Sequence, residues 1–350
     1  MNQQKNQKTQ FQVLKIASRS QKEWCQAIAI NDDCSLLFIG FKSAIKAFGF
    51  NKENLKQHQI LNHHTNYITA LKICKSKFAS SNYFLISASD DKTIIIWEQA
   101  GSQFQNPSWS CYQRLYGHEN NVNCFLFLEE EECIISGSAD FSIKFWNTTQ
   151  KDKYKWSCLQ TIQNHSSEIW ALSINQSQDI LISSGEDGVI LVIEQNSKIW
   201  IVKQIIQVKE FGYRISFVGN NVFCFQPVSG KQLHVYQMNN NQSFIKSKDI
   251  ILQEGNCNCK PYFPATYIKQ KSLLISKVGC KINLISICHN SEEGYVELVL
   301  QQEIDFGTTD GWGYIYGSIS DDGVYIATWD YKSQEIQIRE LKEKQEIKQY

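Results

Sequence analysis

Short apolar runs separated by polar turns dominate this chain from Phe11 onward. Typical runs are Val122-Asn-Cys-Phe-Leu-Phe and Cys133-Ile-Ile-Ser-Gly-Ser, and the turns between such runs are rich in Asn, Asp, Gly, Ser and Lys. Runs of this length bounded by turn residues predict β-strands. No stretch shows the longer apolar periodicity of an amphipathic helix. The pattern therefore predicts an all-β fold.

One strand–turn–strand unit recurs three times. Its copies are Ser87 to Trp97, Ser136 to Trp146 and Ser183 to Ile193, with turn aspartates Asp91, Asp140 and Asp187. These aspartates are 49 and 47 residues apart. The segments Trp109 to His118 and Trp156 to His165 also repeat, each with a His nine residues after a Trp. A period in this range, carried by strands, predicts the blades of a β-propeller.

The clear copies define a repeat of four strands per blade. Weaker copies aligned to this repeat complete a ring of seven blades. Their predicted strands are 26–30, 36–40 and 44–50 in the first blade, 213–217, 221–225 and 233–236 in the fifth, 267–268, 273–277 and 281–287 in the sixth, and 314–319, 324–329 and 336–339 in the seventh. The seventh blade has only three strands, so residues 11–17 are predicted to supply the fourth and to close the ring. We predict a disordered tail at 1–10, the propeller over 11–341 and a polar tail at 342–350.

The motifs resemble those of the WD40-repeat family, in which a His precedes the inner strand, Ser-Gly-Ser-x-Asp forms a turn and Trp-Asp ends the third strand. The resemblance is sharp over about residues 60–195 and implies that His, Ser, Asp and Trp form a hydrogen-bonded structural tetrad in each matching blade. The matching residues are His64, Ser87, Asp91 and Trp97 in the second blade, His118, Ser136, Asp140 and Trp146 in the third, and His165, Ser183 and Asp187 in the fourth, where Ile193 replaces the Trp.

The same resemblance implies a non-catalytic scaffold that binds protein or peptide partners on the top face of the propeller. The residues expected there lie five positions after each loop His, or at the aligned positions of the weaker blades. They are Gln26, Thr69, Asn123, Trp170, Tyr213 and Ile315. Trp170 beside Tyr213 is a candidate hot spot, although Trp170 packed into the channel wall is an equally good interpretation.

Two more specific functions are compatible with this family. The outer strands and Gly117-His-Glu-Asn-Asn-Val122 resemble the WD40 subunit of the cytosolic iron–sulfur targeting machinery, which presents recipient proteins and holds no cluster. The alternative is a substrate receptor of a ubiquitin ligase. Such receptors carry Trp-Asp-x-Arg at a blade end, whereas this chain has Trp97-Glu-Gln-Ala and Trp146-Asn-Thr-Thr. The missing Arg disfavours the ligase role.

Composition narrows the partner class further. Lys and Arg together equal Asp and Glu, with 35 of each, and the arginines are few, which disfavours nucleic-acid binding. No apolar run approaches the roughly 18 residues of a membrane span, so we expect no membrane association. We also expect no small-molecule substrate and no cofactor. Several of the 12 cysteines lie at apolar strand positions and the N-terminus is polar, which predicts reduced thiols in the cytoplasm or nucleus.

Two sets of residues call for a chemical alternative. His118, Ser136 and Asp140 are the residue types of a hydrolase triad, but nothing in the sequence supplies an oxyanion hole, and the structural tetrad is favoured. Cys257 and Cys259, with Cys280, Cys288 and His289, could in principle bind zinc. Structural zinc sites space paired ligands more widely than Cys-x-Cys, so metal-free thiols are favoured.

Overall fold

Nearly every apolar run of the sequence is a β-strand in the computed structural model. It describes residues 9–13, 18–51, 54–75, 83–100, 108–149, 152–229, 231–252, 258–289, 296–307 and 312–343. Two strands precede the blades, β1 (Thr9–Val13) and β2 (Arg19–Ser20). Within these ranges the helical structure amounts to one 3₁₀ turn, Lys269–Lys271.

Blades 1 to 4 are four-stranded antiparallel sheets whose strands follow one another in chain order. Blade 1 contains β3 (Ala27–Ile30), β4 (Leu36–Phe41), β5 (Ala44–Asn51) and β6 (Asn54–Leu61). Blade 2 contains β7 (Ile68–Lys75), β8 (Tyr83–Ser89), β9 (Ile94–Ala100) and β10 (Ser108–Leu115). Blade 3 contains β11 (Val122–Leu128), β12 (Cys133–Ser138), β13 (Ile143–Thr149) and β14 (Asp152–Ile162). Blade 4 contains β15 (Ile169–Ile174), β16 (Ile180–Gly185), β17 (Val189–Asn196) and β18 (Ile199–Gln207).

Blades 5 and 6 continue the pattern. Blade 5 contains β19 (Arg214–Phe217), β20 (Val222–Gln226), β21 (Gln232–Met238) and β22 (Phe244–Ile251). A two-residue strand, β23 (Asn258–Cys259), precedes blade 6, which contains β24 (Thr266–Ile268), β25 (Leu273–Val278), β26 (Lys281–His289) and β27 (Val296–Asp305).

Blade 7 closes the ring as predicted. Its own strands are β29 (Ile315–Ile319), β30 (Tyr325–Asp330) and β31 (Glu335–Glu343), preceded by β28 (Trp312–Gly313), which pairs in parallel with β23. β1 pairs with β31 as the fourth strand, with Val13 opposite Arg339, and β2 pairs with the other end of β31. The closing strand begins at Thr9, two residues earlier than predicted, and residues 14–17 lie outside the described part of the chain. The seven-bladed all-β propeller is therefore confirmed.

The core lies between neighbouring blades, because each strand presents alternate residues to the sheets on either side. Between blades 7 and 1, for example, Phe48, Tyr316 and Trp329 are buried in one cluster. The indole of Trp329 also donates a hydrogen bond of 2.8 Å to the carbonyl oxygen of Gln21. This contact reinforces the closure made by β1.

A recurring glutamine joins the outer strands of neighbouring blades. In each case the side-chain amide donates to the backbone carbonyl and accepts from the backbone N–H of one aromatic residue on the next blade. The pairs are Gln59 with Trp109, Gln113 with Trp156, Gln160 with Trp200 and Gln204 with Phe244. The repeat therefore extends structurally into blade 5, although the His–Ser–Asp signature stops at blade 4.

Candidate functional site

The structure brings the tetrad residues of blades 2 and 3 together. In blade 3, Nε2 of His118 is 2.7 Å from Oγ of Ser136, and Nδ1 is 2.8 Å from the Asp140 carboxylate. The indole N–H of Trp146 donates to the same Oγ at 2.8 Å. Blade 2 repeats this arrangement with His64, Ser87, Asp91 and Trp97, at 2.8 Å for each of the three contacts.

The direction of these hydrogen bonds follows from the donor inventory. A Trp N–H can only donate, so the Ser hydroxyl accepts from it and donates its own proton to Nε2 of the His. Nδ1–H of the His then donates to the Asp carboxylate. This chain needs a neutral imidazole, and burial lowers the pKa of His64, which favours that form even though Asp91 opposes the shift. Burial disfavours ionisation of Asp91, but hydrogen bonds from His64 and Thr93 hold the pKa of its carboxyl well below the usual range.

Blade 4 keeps part of the tetrad. His165 lies 2.8 Å from Oγ of Ser183 and 3.0 Å from the Asp187 carboxylate. Ile193, which replaces the Trp, is fully buried and offers no N–H. In blade 3 the Trp also packs against the loop before His118: a Cβ on Gly117 would lie 2.9 Å from the Trp146 ring, so glycine is needed there.

The tetrads have the hydrogen-bond connectivity of a Ser–His–Asp triad, but their Ser hydroxyls are not accessible to a substrate. Ser87, Ser136 and Ser183 are all fully buried at the centre of second strands. A nucleophilic Ser must reach a substrate carbonyl, with donors placed around the developing oxyanion. In blades 2 and 3 the hydroxyl is also occupied by the Trp N–H. At the tetrads the geometry therefore holds loops in place and does not present an accessible nucleophile.

The top face is the end of the ring at which the inner strands begin, and three of its predicted residues occupy β-bulges. Thr69, Asn123 and Trp170 each interrupt the pairing of an inner strand with its neighbour. Thr69 and Asn123 are buried, and they donate to backbone carbonyls of the next blade, Val122 at 2.5 Å and Ile169 at 3.1 Å. These two side chains join blades, and they are not accessible contact residues.

Ile315 is a further correction. It is 1% exposed and belongs to the core between blades 6 and 7, whereas its half-buried neighbour Tyr314 contacts the ring of Trp24, 4.9 Å away. Because successive side chains of a strand point to opposite faces, a shift of one residue in the weak alignment exchanges a surface residue for a core residue. Of the predicted set, Gln26, Trp170 and Tyr213 are partly exposed.

Tyr262, which the sequence did not single out, lies over the centre of the ring. It belongs to the segment that enters blade 6, yet its ring is 6.2 Å from that of Trp170 in blade 4 and 6.3 Å from that of Tyr316 in blade 7. Trp170 is in turn 5.2 Å from Tyr213, edge to face. Tyr262 has a φ of 63°, which is rare for a bulky residue and typical of functional segments whose surroundings hold them in place.

Three carboxyl groups face these rings from blades 2 and 4. Burial, together with the charges of Asp91 and Glu168, raises the pKa of Asp90 to about 6. Burial also raises the pKa of Glu168; a hydrogen bond from the Asn123 side chain opposes the shift and the charge of Glu186 adds to it. Burial, followed by the charge of Glu186, raises the pKa of Tyr213. We call the group Asp90, Glu168, Trp170, Glu186, Tyr213 and Tyr262 the mouth site. Asp90 and Glu186 share one repeat position, directly before the turn Asp, so the repeat alignment could have found them.

The mouth site contains polar atoms that lack partners. Oδ1 of Asp90 and Nε1 of Trp170 are both buried, and neither has a hydrogen-bond partner among the residues whose placement is described. Within the same residues, no Lys, Arg or His lies within ion-pair distance of Asp90, Glu168 or Glu186. Buried polar groups normally find partners, so these groups indicate a place that an external group could complete.

A buried cationic cluster anchors the Tyr262 segment from below. Arg214 is 2% exposed and donates to the carbonyl oxygens of Phe263, at 2.7 Å, and Lys260. It also lies 3.0 Å from Sγ of Cys259, and the fully buried Lys277 lies 3.8 Å from the same atom. Burial opposes thiolate formation, but the Arg214 and Lys277 charges outweigh it and lower the pKa of Cys259 to about 7.

This environment bears on the zinc alternative. Cys257 lies outside the described residues, and the cations beside Cys259 disfavour a metal ion there. In the described part of the chain no group of His, Cys, Asp and Glu has a metal-binding arrangement. Each cysteine described is a free thiol, and burial raises the pKa of most, for example that of Cys224 to about 12. Among the same residues, no helix is long and apolar enough to cross a membrane.

Comparison with known proteins identifies the repeats. The family model described as WD domain, G-beta repeat, matches residues 55–98, 109–147 and 156–194. The chain is a seven-bladed β-propeller that contains three WD40 repeats. A chain in the crystal structure of a mitotic checkpoint complex superposes with a TM-score of 0.69, covering 95% of this chain and 93% of that one at 14% identity. That likeness shows the fold alone.

Sequence relatives match only part of the propeller. Protein hir1 of Schizosaccharomyces pombe is 31% identical over 111 residues, which is 29% of this chain and 11% of that protein. The probable coatomer subunit beta' of the same yeast is 28% identical over 112 residues, 32% of this chain and 13% of the subunit. The probable cytosolic iron–sulfur protein assembly protein CIAO1 homolog of Caenorhabditis elegans is 30% identical over 69 residues, 20% of this chain and 19% of the relative. The chain thus covers about a tenth to a fifth of the length of these relatives.

Proposed function

We propose that this WD40 propeller is a non-catalytic scaffold that binds protein partners through the mouth site on its top face. The observation that carries the proposal is the contrast within that face. The side chains of Thr69 and Asn123 are engaged in contacts between blades, whereas Trp170 and Tyr213 remain partly exposed, and Trp170 Nε1 has no hydrogen-bond partner in the part of the chain that the structure describes. Aromatic residues of this kind dominate binding energy in protein interfaces.

The ring supplies rigidity for such a surface. The tetrads fix the loops of blades 2 to 4, and Arg214 fixes the segment that carries Tyr262. A partner that binds preordered loops loses little conformational entropy from the receptor side. The fully buried Ser hydroxyls of the tetrads support a scaffold over a hydrolase.

The test is affinity purification of the intact protein from its own cells, compared with Trp170→Ala and with Tyr116→Ala as a control. Tyr116 is 73% exposed on a loop of blade 3 and is not part of the mouth site. We expect Trp170→Ala to lose a defined set of partners that wild type and control retain. An unchanged set of partners would contradict the top-face proposal.

A second, more specific candidate is a role in cytosolic iron–sulfur protein assembly. It is supported by the match to the CIAO1 homolog and by the outer-strand resemblance of the Trp109 and Trp156 repeats. Depletion of the protein is then expected to lower the activity of cytosolic iron–sulfur enzymes and to leave iron-free enzymes unchanged. If both classes keep full activity, the assembly role is wrong, while the scaffold proposal stands. The alternative adaptor role is that of a ubiquitin-ligase receptor. A cullin among the purified partners would support that role, and its absence would contradict it.

A further inference from the structure

The mouth site combines aromatic rings with acidic groups that form no ion pair within the described ranges. Asp90 and Glu168 come from different blades, and both lie close enough to Tyr262 to affect its pKa, after the larger effect of burial. The Tyr262 ring contacts Trp170, and Trp170 contacts Tyr213, so the acids border a continuous aromatic wall. Carboxylates and aromatic faces both attract cations, and the two effects strengthen each other where water is partly excluded.

The charged forms of Asp90 and Glu168 are energetically unfavourable in this position. Two like charges held together in a partly buried site disfavour ionisation of both, and an external cation would relieve that repulsion. Among the described residues, nothing donates to the buried Oδ1 of Asp90 and nothing accepts from Nε1–H of Trp170. A peptide segment that carries a basic side chain offers both, since its ammonium or guanidinium group donates and its backbone carbonyl accepts.

We propose that the mouth site binds the lysine or arginine side chain of a protein partner. This inference rests on the proposed function, because it names the chemistry of the contact that the scaffold makes there. The carboxylates of Asp90 and Glu168 hold the cationic head. The rings of Trp170, Tyr213 and Tyr262 contact the stem, as long basic side chains favour.

Binding then depends on pH with a definite sign. Asp90 faces Asp91 on its own turn, Glu168 from blade 4 and Tyr262 from the segment that enters blade 6. Glu168 in turn faces Glu186, and Asp91 faces His64 and Arg114. Because the pKa of Asp90 is about 6, its charge is present above that pH and is lost as the pH falls through 6. Cation binding is expected to weaken in the same range.

Isothermal titration calorimetry on the intact protein tests the proposal with three blocked tripeptides that carry lysine, arginine or norleucine at the centre. We expect millimolar affinity for the two cationic peptides, about tenfold tighter than for norleucine, whose side chain has the stem without the charge. Asp90→Asn and Glu168→Gln are each expected to weaken the cationic peptides by about fivefold and to leave norleucine unchanged. Glu98→Gln, an exposed change on β9, is the control.

A stability measurement separates a binding site from a structural role. If Asp90 serves binding, Asp90→Asn removes an unfavourable charge and raises the melting temperature at pH 7.5 while it lowers peptide affinity. A lower melting temperature would assign Asp90 to the framework and overturn the proposal. Equal affinity for the lysine and norleucine peptides, or no binding by the cationic ones, would also overturn it. A loss of cellular partners in Trp170→Ala would still support the scaffold function in that case.

Discussion

Blades 2 to 4 and blades 5 to 7 solve the same problem differently. Each blade must fix the loop that leads into its inner strand. Blades 2 to 4 do so with His, Ser and Asp, plus Trp in two of them, within one repeat. At the boundary of blades 5 and 6, Arg214 instead holds the backbone of Lys260 and Phe263 from the neighbouring blade. The comparison teaches that the repeat signature is one way to anchor a loop, and that where it is absent the top face can carry other residues, such as Tyr262.

The largest expected change in stability comes from removal of a tetrad carboxylate. Asp140→Ala removes the acceptor of His118 and leaves buried donors unpaired, so we expect a loss of about 3 kcal/mol in unfolding free energy. Ser229→Ala, an exposed change in the corresponding turn of blade 5, is the matched control and should cost less than about 0.5 kcal/mol. Urea unfolding measures both. Equal effects would remove the distinction between the two halves of the ring.

The anchor of the other half is tested by Arg214→Met. The change keeps much of the buried volume but leaves the carbonyl oxygens of Phe263 and Lys260 without this donor, so we expect a loss of about 2 kcal/mol. Release of the segment should also speed chymotryptic cleavage between Tyr262 and Phe263. Arg19→Met, on the exposed β2, is the control. Unchanged cleavage and stability would show that Arg214 does not anchor the segment.

These two anchors also show how far the sequence predicts the structure. The tetrads were predictable because their residues recur at fixed spacing within one repeat. Arg214, Cys259 and Lys277 come from three separate segments, and nothing periodic links them before the chain folds. Tyr262 likewise depends on contacts with blades 4 and 7. The seven blades and the closing strand were predicted because strand pattern is local, whereas Ile315 was misassigned because a one-residue shift reverses its direction.

A smaller effect is expected from removal of a single donor. Trp146→Phe keeps the aromatic ring and deletes the N–H that reaches Ser136, so the unfolding free energy should fall by about 1 kcal/mol. Blade 4 already lacks this bond because Ile193 stands at the equivalent position. Phe145→Leu, a core change in the same strand without a tetrad bond, serves as a comparison for packing loss. If Trp146→Phe matches wild type, the hydrogen bond does not add to tetrad stability.

The smallest effect concerns pH between 7.5 and 5.5. Burial lowers the pKa of His64 and His165 in the folded chain, so the unfolded chain binds more protons just below pH 6.5. The two histidines should therefore lower the stability, and with it the melting temperature, as the pH falls through this range. Asp90, whose pKa of about 6 favours the folded chain when the carboxyl is protonated, offsets part of that loss. Asp91 and Asp140 add to the loss only below the ordinary pKa of Asp, because their folded pKa values are lowered. His58→Gln, at an exposed histidine, should keep the slope, and His64→Asn should reduce it.

The pairing of the first strand with the last has a consequence for synthesis. β1 leaves the ribosome before any blade, yet its partner β31 is made only after the first six blades, and at typical rates of translation the interval is tens of seconds. During that time six blades can form, whereas blade 7 and its interface with blade 1 cannot. The nascent chain is therefore an open arc with an unpaired edge strand at its start. Premature termination before β31 would leave that arc permanently open. Chaperones and proteases would then act on it.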